Sequence, residues 1–311
     1  MSDTLSRISV IVSTYSVDRM NYLLDAIDSV QEQSLKPHET ILVLDPCPKL
    51  VEYCKTQVPA NVKIVVNQTY GLSSARNAGV KAATGDIVAF IDDDAIADRN
   101  WLANLIQNYE DPKVVGVGGL VKPLWEDGYP SWFPEELNWV VGCSYKGLPE
   151  SRSLVRNPIG CNMSFRKNIF SVVGYFRLDI GRFGKRLLAG EEPELSLRIL
   201  SKIPKSKIVY DPKAVVLHRV SRNRTKMGYI WVRSFYEGIS KALILKSKSG
   251  SSETLTSEDS YLKYLLRVAI PARIRKAYRP DRNYQTLILL VSMTAVFMGF
   301  LAGKLKGDIN A

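Results

Sequence analysis

Along the N-terminal third of the chain, short apolar runs alternate with segments of helical period. Ile8–Val12 (ISVIV) is apolar and β-rich, the pattern of a strand buried on both faces. Leu23, Leu24, Ile27 and Val30 recur at helical spacing within Tyr22–Gln33. Thr40–Leu44 predicts a second strand, Val51–Gln57 a helix and Val62–Val66 a third strand. Ser73–Ala83 predicts a small-residue helix, and Asp86–Ile91 a fourth strand. This β-α-β-α-β-α-β order predicts an α/β fold with a mainly parallel sheet covered on both faces. Such sheets bind ligands at the carboxyl ends of their strands. Those ends carry Ser13-Thr14-Tyr15, Asp45 and Asp92-Asp93-Asp94, polar where each apolar run stops.

A different pattern closes the chain. Thr286–Gly303 has no charged residue in 18 positions, roughly 27 Å of helix and enough for a bilayer core. A buried core helix passes the same test, but a helix apolar all round at a chain end has little protein left to cover it. Ile8–Val12 is too short for a signal peptide. Between Tyr261 and Ala277, leucines, tyrosines and basic residues alternate at helical spacing, which predicts an interfacial helix at 261–283 broken at Pro271. The organisation expected is a globular domain at 1–245, a Ser/Lys/Gly linker at 246–260, the interfacial helix, and a transmembrane helix at 286–303.

Charge supports this division. The net charge is +11, yet residues 1–100 hold 9 basic against 13 acidic side chains, and residues 201–311 hold 21 against 7. Lys263, Arg267, Arg273, Arg275, Lys276, Arg279 and Arg282 precede the apolar span, and Lys304 and Lys306 follow it. The positive-inside bias places the large N-terminal part in the cytoplasm, on a single-pass anchor in the cell membrane. With the basic excess beside the span, the expected partner is a membrane and not a nucleic acid. Cys47, Cys54, Cys143 and Cys161 have no metal-type spacing and read as reduced thiols.

The acidic triplet is the main chemical signal. In an extended segment Asp92 and Asp94 point to one side, and adjacent carboxylates repel unless a cation holds them. Hard oxygen donors suit Mn²⁺ or Mg²⁺. A solvated acidic turn, or an N-cap for the helix opening at Trp101, would use the same residues. Glu191-Glu192-Pro193 offers a candidate base, and also an ordinary Glu-rich helix start. Gly116–Gly119 lacks dinucleotide-loop spacing. A sugar-phosphate nucleotidyltransferase would need a Gly-rich phosphate loop after the first strand, and Ser13–Arg19 contains no glycine. A catalytically inert membrane scaffold remains the contrasting class.

The run Gly71–Asp94 (GLSSARNAGVKAATGDIVAFIDDD) resembles the core of family 2 glycosyltransferases, inverting enzymes with a GT-A, Rossmann-like fold. Val10–Tyr15, Ala26–Ser34, Leu42–Asp45, Gly160–Lys167, Gly190–Leu195 and Val215–Val220 follow the family's order, so that the resemblance covers about residues 7–240. It implies that Thr14 and Tyr15 border a nucleotide base and that Asp45 hydrogen-bonds it. Pro46-Cys47-Pro48 departs from the family pattern after that acid. The resemblance sets Arg76 and Asn77 near the base and diphosphate, Asp93 at the ribose or sugar, and Asp92 and Asp94 on the metal. His218 would complete the metal or diphosphate site. Glu192 aligns with the family's catalytic acid, with Glu191 second. The expected donor is a nucleotide sugar, UDP-linked by preference. The expected acceptor is a dolichyl- or polyprenyl-phosphate-linked saccharide used in glycan assembly.

Overall fold

The computed structural model describes residues 7–181, 188–246, 256–275 and 280–305. These form two compact units, one of residues 7–122, 150–181 and 191–218, the other of 123–149, 188–190, 219–246, 256–275 and 280–305.

The first unit begins with the alternation predicted. Strands β1 (Ile8–Thr14), β2 (Glu39–Leu44), β3 (Val62–Val66) and β4 (Ile87–Asp92) are linked by helices α1 (Met20–Gln31), α2 (Pro48–Gln57) and α3 (Leu72–Ala82). All three pairings among these strands are parallel, in the order β3-β2-β1-β4. Neighbouring residues on a strand face opposite sides. Val10 and Leu42 therefore enter one core with Leu23, Ile27 and Trp101. Ile11 and Ile41 enter the other, with Phe90, Phe165 and Leu195. Two buried faces explain why these strands are apolar throughout and not alternating.

Beyond β4 the sheet changes sense. A short strand, β5 (Ala95–Ala97), precedes α4 (Trp101–Ile106) and the long β6 (Val114–Trp125). Then come β7 (Ser153–Leu154), β8 (Met163–Arg166), α5 (Ile169–Val173), α6 (Glu191–Lys202) and β9 (Lys207–Val220). β8 pairs antiparallel with β4 and β6, and β9 with β5 and β7. The switch point lies between β1 and β4, whose connections leave in opposite directions, and sheets of this kind take their ligands in the crevice at such strand ends.

The second unit is helical. The 20-residue α7 (Met227–Lys246) packs along α10 (Pro280–Leu305). Between them α8 (Thr256–Tyr264) continues through a π-helical turn at Leu265–Ala269 into α9 (Ile270–Ile274). α7 and α10 run parallel: Ser234 meets Ser292, and Lys246 donates to the Gly303 carbonyl at 3.0 Å. Their approach depends on small residues. A Cβ on Gly238 would lie 2.0 Å from the Val296 carbonyl oxygen, and one on Gly299 would lie 1.9 Å from that of Phe235. Small side chains at every fourth position let helix backbones meet this way. The stretch Asn283–Leu305 is long and apolar enough to cross a membrane, with a third of its most apolar window buried.

Four expectations change here. Residues 123–149 and 219–246 belong with the C-terminal helices and not with the catalytic unit. Helix α8 starts at Thr256, inside the predicted linker. Pro271 does not break the helix. Lacking an N–H, it cannot complete an α-type bond, and the π-turn just before it absorbs the change of register. Arg273 does not face headgroups but is buried in an ion pair with Glu136 at 3.0 and 2.5 Å. Linker residues 247–255 lie outside the described residues, as do Lys276, Arg279 and Lys306.

Candidate active site

The crevice between β1 and β4 gathers the acidic triplet. Ser13 on β1 is in register with Asp92 on β4. Thr14 Oγ1 donates to Asp93 Oδ2 at 2.6 Å. After the triplet the chain enters β5, where Ala95 pairs with His218 of β9. That pairing carries His218 Nε2 to 3.3 Å from Asp94 Oδ1. Asp92, Asp94 and His218 each offer a ligand atom, and these lie within 4.8 Å of one another. Two carboxylates and an imidazole at that separation fit one divalent cation.

Arg19, at the turn into α1, was not singled out in the sequence. Its guanidinium binds Asp93 through Nη1 and reaches Asp94 Oδ2 at 2.7 Å through Nη2, and it lies over the Tyr15 ring at 5.1 Å. Burial pushes the Asp93 carboxyl up, and its acidic neighbours add to this against the pull of Arg19. A basic residue in a strand-to-helix turn facing an acidic triplet was the available signal.

Arg76 is the second organising cation. It is 2% exposed, and the resemblance placed it by the base and diphosphate. Nη1 lies 3.3 Å from Glu191 Oε1 and 3.6 Å from Glu192 Oε1, while Nη2 lies 3.7 Å from Asp92 Oδ1 and donates to the Gly160 carbonyl at 3.2 Å. Burial alone would weaken its hold on the proton, but Glu192, Glu191 and Asp92 together raise its pKa. Asn77 follows Arg76 on α3. Its amide donates to the Phe176 carbonyl at 2.8 Å and accepts from the Phe176 N–H at 2.9 Å, so it braces the 174–181 loop.

The two glutamates open α6, where a helix N-terminus favours negative charge. Glu194, one turn further on, pairs with Arg198 at 2.6 Å, so Glu191 and Glu192 face Arg76. Glu191 is 3% exposed. Glu192 is the more open of the pair, its side chain 15% exposed against 4%. Gly160 makes room for it, since a Cβ there would lie 1.9 Å from Glu192 Oε1. Five carboxylates (Asp92, Asp93, Asp94, Glu191 and Glu192) thus share two guanidiniums, an excess of negative charge that a divalent cation would reduce.

Asp45 and Tyr15 stand at the neighbouring strand ends. Burial raises the Asp45 pKa, while the Gly71 N–H and the Asn67 side chain hold it down. Tyr15 is 60% exposed, with the Arg19 guanidinium over its ring.

Residues 9–174 match the family described as Glycosyl transferase family 2. The chain is 31% identical to the glucosyl-dolichyl phosphate glucuronosyltransferase of Haloferax volcanii over 310 residues, covering 97% of this chain and 98% of that protein. A mannosyltransferase from Pyrobaculum calidifontis, solved with GDP-Man and Mn²⁺, superposes with a TM-score of 0.63 at 18% identity, covering 96% of this chain and 88% of that one. GalNAc-T7, solved with UDP, GalNAc and Mn²⁺, gives 0.54 at 18% identity, covering 86% and 57%. Fold and relatives alike define a glycosyltransferase of GT-A type. The chain belongs to glycosyl transferase family 2.

Proposed function

We propose that this enzyme transfers a uronic acid from a UDP-linked donor, with inversion, to glucosyl-dolichyl phosphate or a similar lipid-linked saccharide in glycan assembly. Uronate and acceptor rest on the printed activity of the Haloferax volcanii relative. The nucleotide-sugar class rests on the UDP and GDP-Man held by the structural neighbours. The observation that carries the reading is the bridge through Arg76, which links a metal-type aspartate, Asp92, to the most open glutamate, Glu192. Leaving-group and base functions are thereby set on one rigid buried cation.

Asp92, Asp94 and His218 would hold Mn²⁺ or Mg²⁺, which supplies neutralisation of the departing diphosphate's charge. Tyr15 and Thr14 border the base, and Asp45 accepts from it. Glu192 takes the proton of the acceptor hydroxyl. The freed oxygen attacks the anomeric carbon from the face opposite the leaving group. The anomeric C–O bond breaks, its electrons leave with UDP, and the configuration inverts. Arg76 keeps the Glu192 carboxylate in place and Glu191 paired. Helix α10 anchors the enzyme to the membrane holding its acceptor, with the catalytic unit on the cytoplasmic side, as the basic excess before the helix favours.

The test is a donor screen on the full chain in lipid nanodiscs. UDP-, GDP- and dTDP-sugars are offered with Mn²⁺ or Mg²⁺ and a lipid-linked glucose. Nucleotide release from UDP-glucuronate, abolished by chelator, Asp94→Asn and Glu192→Gln, is the expected result. Release from no donor, with no donor binding by calorimetry, would overturn the catalytic reading in favour of an inert scaffold.

A further inference from the structure

We infer that an open groove in the helical unit, lined by Trp125, Asp127, Tyr129, Pro130, Arg222 and Thr225, binds the sugar-phosphate head of the lipid-linked acceptor. The inference rests on the lipid-linked acceptor proposed above and assigns it a site.

The lining suits a glycosyl phosphate. Tyr129 is half exposed, and its ring meets Trp125 edge to face with centroids 5.8 Å apart, so two aromatic surfaces bound the groove. Aromatic faces pack against the apolar C–H face of a sugar while its hydroxyls turn to polar neighbours. The groove supplies one polar group of each sign. Arg222 Nε stands 3.6 Å from Asp127 Oδ2, in a loose pair whose side chains are 83% and 61% exposed. Such a pair contributes little on its own and opens at small cost. Opened, the guanidinium can take a phosphate through two N–H groups, and the carboxylate can accept from sugar hydroxyls.

Position argues for a lipid-linked occupant. A chain of ring contacts runs from the groove to the membrane helix. Trp125 meets Phe133 at 5.4 Å, Phe133 meets Trp132 at 5.9 Å, and Trp132 meets Tyr284 at 6.1 Å. Tyr284 opens the apolar stretch Asn283–Leu305. One hydrogen bond fixes the segment to that end, from Gln285 Nε2 to the Ser131 carbonyl at 2.6 Å, and a second, from Tyr129 Oη to the Phe133 carbonyl at 2.6 Å, holds the segment's own turn. Trp and Tyr at the mouth of a membrane helix mark the headgroup level. The groove is held beside that level, where the phosphate and first sugar of a membrane lipid lie and its hydrocarbon tail remains in the bilayer.

The test measures binding, independently of turnover. Full-length protein in phosphatidylcholine nanodiscs is titrated with glucosyl farnesyl phosphate, using Arg222→Glu, Tyr129→Ala and the wild type. Each variant is expected to weaken binding about tenfold or more, with the donor KM within about twofold of wild type. Glucose 1-phosphate, which lacks the tail, should displace the probe only in large excess. Unchanged affinity in both variants, no binding by the wild type, or equal displacement by glucose 1-phosphate would each overturn the assignment. Near-identical far-ultraviolet dichroism and melting of the variants separate lost binding from lost folding. Transfer is followed in the same samples. A wild type that binds the probe through Arg222 and Tyr129 but transfers no sugar would refute the catalytic reading and leave the groove standing.

Discussion

Arg76 and Glu192 face each other at 3.6 Å, Nη1 to Oε1, and the same guanidinium reaches Asp92 at 3.7 Å. A planar fork with fixed N–H directions can hold two carboxylates at a set separation, and an ammonium cannot. Arg76→Lys is therefore expected to keep the charge and lose the alignment. The prediction is a kcat lower by on the order of a hundredfold, with donor KM changed far less. Steady-state kinetics with both substrates varied would check it, and an unchanged kcat would reduce Arg76 to a structural ion pair.

Gly160 reports on the same carboxylate from the other side. Its absent side chain is the space Glu192 Oε1 occupies. Gly160→Ala should push the carboxylate away and lower kcat by about a hundredfold. Thermal unfolding should move by only a few degrees, because the atoms that must give way, the Glu192 carboxylate and Arg76 Nη2 at 2.8 Å, are side-chain ends and not backbone. A large fall in Tm with normal specific activity would contradict this.

Arg19 binds two of the three triplet aspartates where their carboxylates are buried. Arg19→Ala leaves those charges uncompensated, a change that costs about 3–5 kcal/mol for a buried pair and somewhat less here, where Arg19 is partly exposed. Its Tm should fall by several degrees in chelator. Mn²⁺ should raise it by more than it raises the wild type, since the cation then supplies the missing charge. Equal Mn²⁺ shifts in the two proteins would count against a metal at Asp94.

Glu39 sets an acid limit on stability. Burial alone would raise its pKa, but donors from Thr84 and Ser9 dominate and lower it from 4.5 to about 2. A group depressed on folding stabilises fully above its unfolded value and loses that effect as pH falls through its folded value. Its contribution is therefore complete above about pH 4.5 and lost between there and about pH 2. Glu39→Gln should lower stability at pH 7 and flatten the acid branch of a Tm–pH curve. A variant curve parallel to wild type through that window would refute the assignment.

Gly299→Leu tests the helix pair. The leucine would drive into the Phe235 backbone, separate α7 from α10, and expose both to protease in detergent. Cleavage at the wild-type rate would show that the pair tolerates the wedge.

The β-α alternation and the polar strand ends were legible because each depends on local pattern. Val10 and Ile11 are apolar for packing reasons that any parallel strand shares. The triplet stood out by its place at a strand's carboxyl end, and the Glu191-Glu192 pair through the family resemblance. Pairings between distant segments were not legible. That Arg76 turns to Glu191, across 115 positions, and that Asn77 braces Phe176, depend on where loop 174–181 returns. No local signal marks such returns. Arg19 carries no motif, since a single basic residue in the glycine-free β1–α1 turn does not reveal which acids it meets. The division at 245 rests on composition, which does not show what a helix packs against. α7 carries Arg233, Glu237 and Lys241, which neutralise one another and Glu258. Its Ser234, Gly238 and Ala242 stripe is what seats α10.

That stripe has a practical consequence for anyone preparing the enzyme. Clipping off the last helix is the common route from a membrane-bound protein to a soluble one. Here the cut would strip the cover from Ser234, Gly238 and Ala242 along much of α7. The shortened chain should be stickier than the intact one, so expression trials are better spent on detergents and nanodiscs than on stop codons.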